Sequence, residues 1–153
     1  MIASQPFTIS AMTAVDLTAV IAIELQNPGP WNKTQLADEL AHPASWQWLA
    51  RTPHSETVAG YIVGRTVAGE AEILRLAVDI NYRRHGIAQK LLEHTFTELC
   101  RDAVDSCFLE MRAGNTAARL LYEKNGFQSI GIRYNYYNGP VEDAVVMIKS
   151  LPQ

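Results

Sequence analysis

Residues 73–89 read ILRLAVDINYRRHGIAQ, and this stretch decides the fold. Ile73 to Val78 is an apolar strand, and DINYRRHGIAQ is a loop with one glycine that runs into a long amphipathic helix. Along that helix Ile87, Ala88, Leu91, Leu92, Thr95, Phe96 and Leu99 fall on one face. Lys90, Glu93, Glu98 and Arg101 fall on the other. A helix start offers free backbone N–H groups and the positive end of a macrodipole. Gly86 lets the backbone approach an anion closely, Ala88 is too small to obstruct it, and Arg83 and Arg84 add positive charge. The arrangement describes an anion site of the helix N-terminus kind. It is neither GxxxxGK[ST] nor GxGxxG. Taken alone, the same letters also describe a capped surface helix with two solvated arginines.

Outward from this stretch, Phe7 to Met12 alternates weakly and suits a first strand. DLTAVIAIEL from Asp16 predicts a helix with Leu17, Val20, Ile21 and Leu25 on one face, stopped by NPGP at 27–30. Asn32 caps a second helix, NKTQLADEL. Trp46 to Ala50 and Thr57 to Arg65 read as strands joined through His54–Ser55–Glu56, and GEAE at 69–72 leads into the strand at Ile73. Past the long helix, Ser106 to Met111 (SCFLEM) is a buried strand. Asn115 opens a shorter helix that Gly126 ends as a left-handed cap. Phe127 to Tyr137 and Ala144 to Ile148 form a terminal pair of strands. The order βααβββαβαββ predicts an α/β (α+β) mixed sheet covered by about four helices.

The chain has 153 residues, 13 Lys+Arg against 16 Asp+Glu, and a formal net charge of −3. This length predicts one domain over residues 1–153. Such a domain buries roughly 70% of its unfolded surface, enough for a core without staples. With 48% hydrophobic and 19% charged residues the chain is globular in composition, and its mild acidity argues against nucleic-acid binding. Cys100 and Cys107 form no CxxC pair and read as reduced thiols of a cytoplasmic protein. His42, His54, His85 and His94 lack zinc-ligand spacing, so no metal is expected. The N-terminal MIASQPFTISAM lacks the pattern of a signal peptide, and no apolar run is long enough to span a membrane.

Three further residues stand out. Glu110 lies between Leu109 and Met111 in an apolar strand, where desolvation would make a carboxylate a stronger base. A strand-end glutamate that turns to solvent reads the same way. Asn115 is a natural N-cap. Tyr122, seven residues on, shares a side with Ala118 and Leu121 and also suits an ordinary core position.

Together these residues resemble a known family. RRHGIA at 83–88, following ILRLAVD, is similar to the [QR]xxGx[GA] acyl-CoA motif of the GNAT (GCN5-related) N-acetyltransferases. LEMRAGNTAARLLYEKNGF at 109–127 resembles the second half of that fold. RYNYYNGPVEDAVVM at 133–147, with IEL at 23–25 and PW at 30–31, resembles the RimI-type subfamily, whose members acetylate the N-terminal alanine of a small-subunit ribosomal protein. The resemblance implies a mostly antiparallel sheet with one splayed parallel pair. It places acyl-CoA contacts on Leu76, Ala77, Val78, Arg83, Arg84, His85, Gly86, Ile87, Ala88, Gln89 and Asn115. Glu110 matches the family's proton acceptor and Tyr122 its proton donor. Two positions depart from the pattern: Ile80 stands where proline is usual, and Tyr134 where the subfamily is often basic.

The expected reaction is acetyl transfer from acetyl-CoA to a protein N-terminal amine. An α-amino group, with a pKa of about 7.7–8.0, is far more often neutral near pH 7 than a lysine at about 10.4. Glu110 would take the amine proton, backbone N–H groups of Leu76–Val78 would stabilise the oxyanion, and Tyr122 would protonate the leaving thiolate. The acceptor surface is expected from Glu24, Trp31, Tyr134, Tyr136 and Tyr137. Glu142 and Asp143 lie nearby, an acidic and aromatic set that suits a basic side chain early in the peptide. Other amines (a lysine side chain, a polyamine, a small molecule) or a non-catalytic acyl-CoA sensor are the alternatives. Either a monomer or a homodimer is compatible with the letters.

Overall fold

A computed structural model describes residues 7–152. Seven strands form one sheet in the order β1-β2-β3-β4-β5-β7-β6. They are β1 Thr8–Ala11, β2 Ser45–Arg51, β3 Val58–Val67, β4 Glu70–Val78, β5 Ser106–Arg112, β6 Gln128–Tyr137 and β7 Glu142–Ser150. The helices are α1 Leu17–Glu24, α2 Lys33–Ala41, α3 Ile87–Arg101 and α4 Thr116–Lys124, in the expected order. Only β4 and β5 run parallel; every other neighbouring pair is antiparallel. Of the N-terminal stretch read for a leader, residues 1–6 lie outside the described residues, as does residue 153. Among the described residues, no helix is long and apolar enough to cross a membrane.

Helix ends follow their local chemistry. Asn32 accepts from Gln35 N at 2.8 Å while Gln35 Oε1 accepts from Asn32 N, a reciprocal capping box for α2. At the end of α4, Phe127 N donates to Tyr122 O and Gly126 N to Glu123 O, both at 3.0 Å. Gly126 holds φ +91° there, the left-handed cap expected of it.

Two cores lie on opposite faces of the sheet. On one, Ile87, Leu91, Leu92 and Leu99 of α3 meet Ile62, Ile73, Leu109 and Tyr122. On the other, Val20, Ile23 and Leu36 of α1 and α2 meet Leu49, Tyr61 and Val63. The α1 face differs from expectation: Leu25 lies past the helix end and is 68% exposed, whereas Ile23 and the carboxylate of Glu24 are buried. Periodicity selects apolar letters, so it passes over a buried acid that has a partner across the sheet. The α1–α2 layer is tied down by three such acids. Asp16 pairs with Arg51 of β2 at 2.8 Å, Glu39 with Arg65 of β3 at 2.6 Å, and Glu24 with Arg75 of β4 at 2.9 Å.

Strand β4 begins at Glu70, earlier than expected, and it contains the irregularity that shapes the site. Gly64 of β3 faces Ile73 and Val63 faces Arg75, so Leu74 is a bulge residue without a partner. The bulge switches which face alternate residues occupy. Before it, Ala71 and Ile73 enter the α3 core; after it, Leu76 and Val78 pack on that core, while Ala77 joins the α1 side. Arg75 thereby reaches Glu24 and avoids the apolar α3 face. Opposite the bulge there is no room for a side chain: a Cβ on Gly64 would lie 2.2 Å from the Trp46 ring and 2.5 Å from Glu72 O.

Gly64→Ala is therefore expected to destabilise the fold by about 1–3 kcal/mol, the usual cost of overpacking, read as a shift in denaturation midpoint. Acid should also weaken the α1–α2 layer. Burial opposes ionisation of Asp16 and Glu39, but hydrogen bonds from Arg51 and Arg65 outweigh it and hold both carboxyls below their ordinary range. A lowered folded pKa stabilises above the unfolded value near 4 and is lost as pH falls through the folded one. Urea midpoints followed from about pH 6 down to about pH 3 should fall, and Glu39→Gln should flatten that decline.

Candidate active site

Beyond the bulge the two parallel strands part. Pairing of β4 with β5 covers only Glu70–Ile73 against Ser106–Leu109. Farther on, Arg75–Val78 pair with β3 alone and Glu110–Arg112 with β7 alone. Their facing edges open a cleft of about 630 Å³. Leu76 and Ala77 form one wall, Glu110, Met111 and Arg112 the other, and Asn115, Ala118 and Tyr122 of the α4 segment close it. An unpaired strand edge presents backbone donors and acceptors to whatever enters.

Glu110 projects from β5 into this cleft. It is neither isolated nor turned to solvent: it is 13% exposed, and Arg133 Nε lies 3.0 Å from its Oε1. Its Oε2 is buried without a hydrogen-bond partner. Glu72 lies on the same side; burial, reinforced by the charge of Glu110, raises its pKa. Tyr122 packs edge-on to Phe127 at 5.5 Å, and burial holds its phenol above the ordinary tyrosine value. Tyr137 is pushed up to about 12, first by burial and then by the charge of Glu110. Both phenols are therefore protonated donors at neutral pH.

Two arginines that the sequence reading did not single out organise the mouth of the cleft. Arg75 grips Glu24 through Nε and Nη2 (3.1 and 2.9 Å), donates to Gly29 O at 2.6 Å and lies 4.9 Å over the Trp31 ring. Glu24 is also bonded by the Tyr61 hydroxyl and by Trp31 N. Arg112 donates to Pro140 O at 2.9 Å and Asn138 O at 3.1 Å, and sits 4.6 Å over Tyr137. One arginine thus fixes the loop after α1 and the other the β6–β7 turn. A charged residue in an otherwise apolar strand was the signal for Arg75, the same signal that drew attention to Glu110.

These contacts correct the expected acidic pocket. Glu24 is neutralised by Arg75, and Glu142 accepts from Arg112 at 3.3 Å and from Gly114 N at 2.6 Å. Asp143 accepts from Asn135 N at 2.8 Å. That bond supports a second bulge, in which Arg133 faces Ala144 and Tyr137 faces Glu142, with Asn135 at φ +52° between them. Asn tolerates this conformation better than most residues. The bulge brings Tyr136 and Tyr137 to the cleft, while Tyr134 is 77% exposed and does not line it. Trp31 packs on Arg75 outside the lining.

The helix start lies beyond Val78. Arg83 Nε donates to Val78 O at 3.3 Å, and Arg84, His85 and Gly86 are exposed. Gly86 has φ +74°, and a Cβ there would point into open space, so the position is glycine for its backbone conformation. Ile87 is core, Ala88 is half-buried beside it, and Gln89 exchanges hydrogen bonds with Asn125 at 2.9 and 2.8 Å. Asn115 caps α4 through Ala118 N at 3.1 Å. Ile80, where the family pattern has proline, retains an amide, and Gln26 Oε1 accepts from it at 2.9 Å. Burial pushes the Cys107 thiol up to about 12, which makes it a packing residue. Among the described residues, no three His, Cys, Asp or Glu side chains converge as a metal site.

Comparison with known proteins places this geometry. The chain is 35% identical over 144 residues to the [ribosomal protein bS18]-alanine N-acetyltransferase of Escherichia coli (strain K12), covering 92% of this chain and 95% of the relative. It is 34% identical over 151 residues to the N-alpha-acetyltransferase RimI of Mycobacterium tuberculosis, covering 94% and 92%. The crystal structure of the ribosomal-protein-S18-alanine N-acetyltransferase from Escherichia coli superposes with a TM-score of 0.86 at 34% identity, covering 96% of this chain and 95% of that one. The model of the acetyltransferase (GNAT) family matches residues 17–127, from the start of α1 to the residue before β6. Splayed strands, glycine-turned helix start and sequence thus agree, and the chain belongs to the GNAT acetyltransferase family.

Proposed function

We propose that residues 1–153 form one catalytic domain that acetylates the α-amino group of a protein N-terminus in the cytoplasm. Acetyl-CoA is the donor, and the acceptor is the N-terminal alanine of a small-subunit ribosomal protein. The observation that carries this reading is the cleft itself. It is lined by the Glu110 carboxylate and the Tyr122 phenol as well as by Leu76 and Ala77 beyond the point where β4 and β5 part, which supports this reading. The likeness to relatives named as ribosomal-protein alanine N-acetyltransferases supports the acceptor.

The residues present suit an acyl-CoA. Free N–H groups at the start of α3, the open space over Gly86 and the charges of Arg83 and Arg84 fit a pyrophosphate. The edge at Leu76–Val78 and the side chain of Asn115 fit an amide-bearing arm. Bound there, acetyl-CoA supplies an activated thioester. Glu110 takes the proton from the acceptor nitrogen, and backbone N–H groups of β4 face the developing oxyanion. Tyr122, whose phenol lines the cleft in its protonated form, hydrogen-bonds the departing sulfur and donates its proton to the CoA thiolate as the carbon–sulfur bond breaks. Tyr136 and Tyr137 flank the acceptor, with Trp31 and Glu24 holding the loop beside it.

The direct test is mass spectrometry of a peptide that carries both a free N-terminal alanine and a lysine. Acetyl on the α-nitrogen supports the reading; acetyl confined to the lysine refutes it. Glu110→Gln should lower kcat by about 10²–10⁴ with acetyl-CoA affinity unchanged. Tyr122→Phe should cost about 10- to 100-fold, the worth of one hydrogen bond to a charged group, while the melting temperature stays near that of the parent.

A further inference from the structure

Arg75 and Arg112 line the cleft and Arg133 reaches it through Glu110, and the three are held differently. Arg75 and Arg112 donate to backbone carbonyls and carboxylates together, with side chains 23% and 14% exposed. Arg133 is 57% exposed, and Glu110 is its only ion-pair partner among the described residues. It stands on β6, an edge strand of the sheet, at the first residue of the bulge that ends at Tyr137. Its guanidinium lies 5.9 Å from the Tyr136 ring centroid, so a second resting place adjoins the first. Glu110 offers little else to bind: Oε2 is shut away from solvent, and Oε1 is the oxygen that Arg133 covers.

An acceptor amine arrives as an ammonium for most of its time at neutral pH. Of the two Glu110 oxygens, Oε2 is buried and Oε1 is the one beside the Arg133 guanidinium, while the Tyr136 hydroxyl also interacts with this carboxylate. We propose that Arg133 is an internal competitor that occupies the place of the acceptor ammonium, so that binding exchanges one cation for another at Glu110 and Arg133 tempers the affinity for a cationic acceptor. This rests on the reading that the acceptor amine meets Glu110. A half-exposed pair of this kind is weak enough to open in competition with a ligand. The exchange also conserves charge beside Glu72, whose pKa is raised first by burial and then by the charge of Glu110. A ligand without an ammonium gains nothing from displacing Arg133, so the competition falls on cationic acceptors alone.

The experiment is calorimetric titration of two synthetic peptides onto the CoA-bound enzyme. One begins with a free alanine, and the other is the same peptide already N-acetylated. Arg133→Gln should tighten the free-amine peptide about two- to fivefold and leave the acetylated peptide unmoved, and Arg133→Lys should return the free-amine value toward the parent. Unchanged or weaker binding of the free-amine peptide, or equal tightening of both peptides, overturns the proposal. Because binding is read without turnover, the result is separate from the assignment of Glu110 as base. A Glu110→Gln enzyme that turns over like the parent removes that assignment and leaves the binding result standing.

Discussion

Leu74 has no partner on β3, and this single extra residue governs the site. It switches the face on which β4 presents its later residues and turns Arg75 toward the α1 layer. It falls where β4 parts from β5. Had the strand continued regularly, Arg75 would enter the α3 core, where an unpaired guanidinium costs several kcal/mol. The bulge therefore answers two demands at once: a cation must reach Glu24, and two parallel strands must separate to leave a cleft. Gly64 makes it possible, because the Trp46 ring fills the space where its side chain would stand.

The cleft depends in turn on how its charges are shared. Arg75 and Arg112 spend their donors on loop carbonyls as well as on carboxylates, so the loop after α1 and the β6–β7 turn are held by side chains that belong to the splayed strands. The acids at the mouth are already paired and present little free negative charge to a peptide. The rest of the cleft wall on that side is aromatic surface from Tyr136 and Tyr137 and the Glu110 carboxylate, which Arg133 pairs. The mouth of the cleft is less acidic than its letters suggest, because its carboxylates are paired with arginines.

Much of the fold was legible because its signals are local. The 3.6-residue period of α3, the Asn32 and Gly126 caps and the apolar strand at 106–111 each depend on neighbours a few residues away. Leu25 and Glu24 show where that logic stops. Leu25 carries the apolar period and Glu24 is expected on the acceptor surface, yet Glu24 is the buried member, since Arg75, Tyr61 and Trp31 satisfy it from 7 to 51 residues away. A partner that distant leaves no trace in the period of a helix.

The order of elements and the helix start that suits a phosphate are written in single segments, where spacing and residue type carry the information, while Glu110 and Tyr122 stand out as candidates only through the family resemblance of the stretches that hold them. Only the tertiary structure decided which charges are free. Arg133 beside Glu110, Arg75 on Glu24 and Arg112 on Glu142 are each made by strands or helices that meet across the sheet. Coulombic pairing acts through space at about 3–4 Å, whereas the chain separates these partners by many residues, so their neutralisation is a property of the fold and not of any stretch of letters.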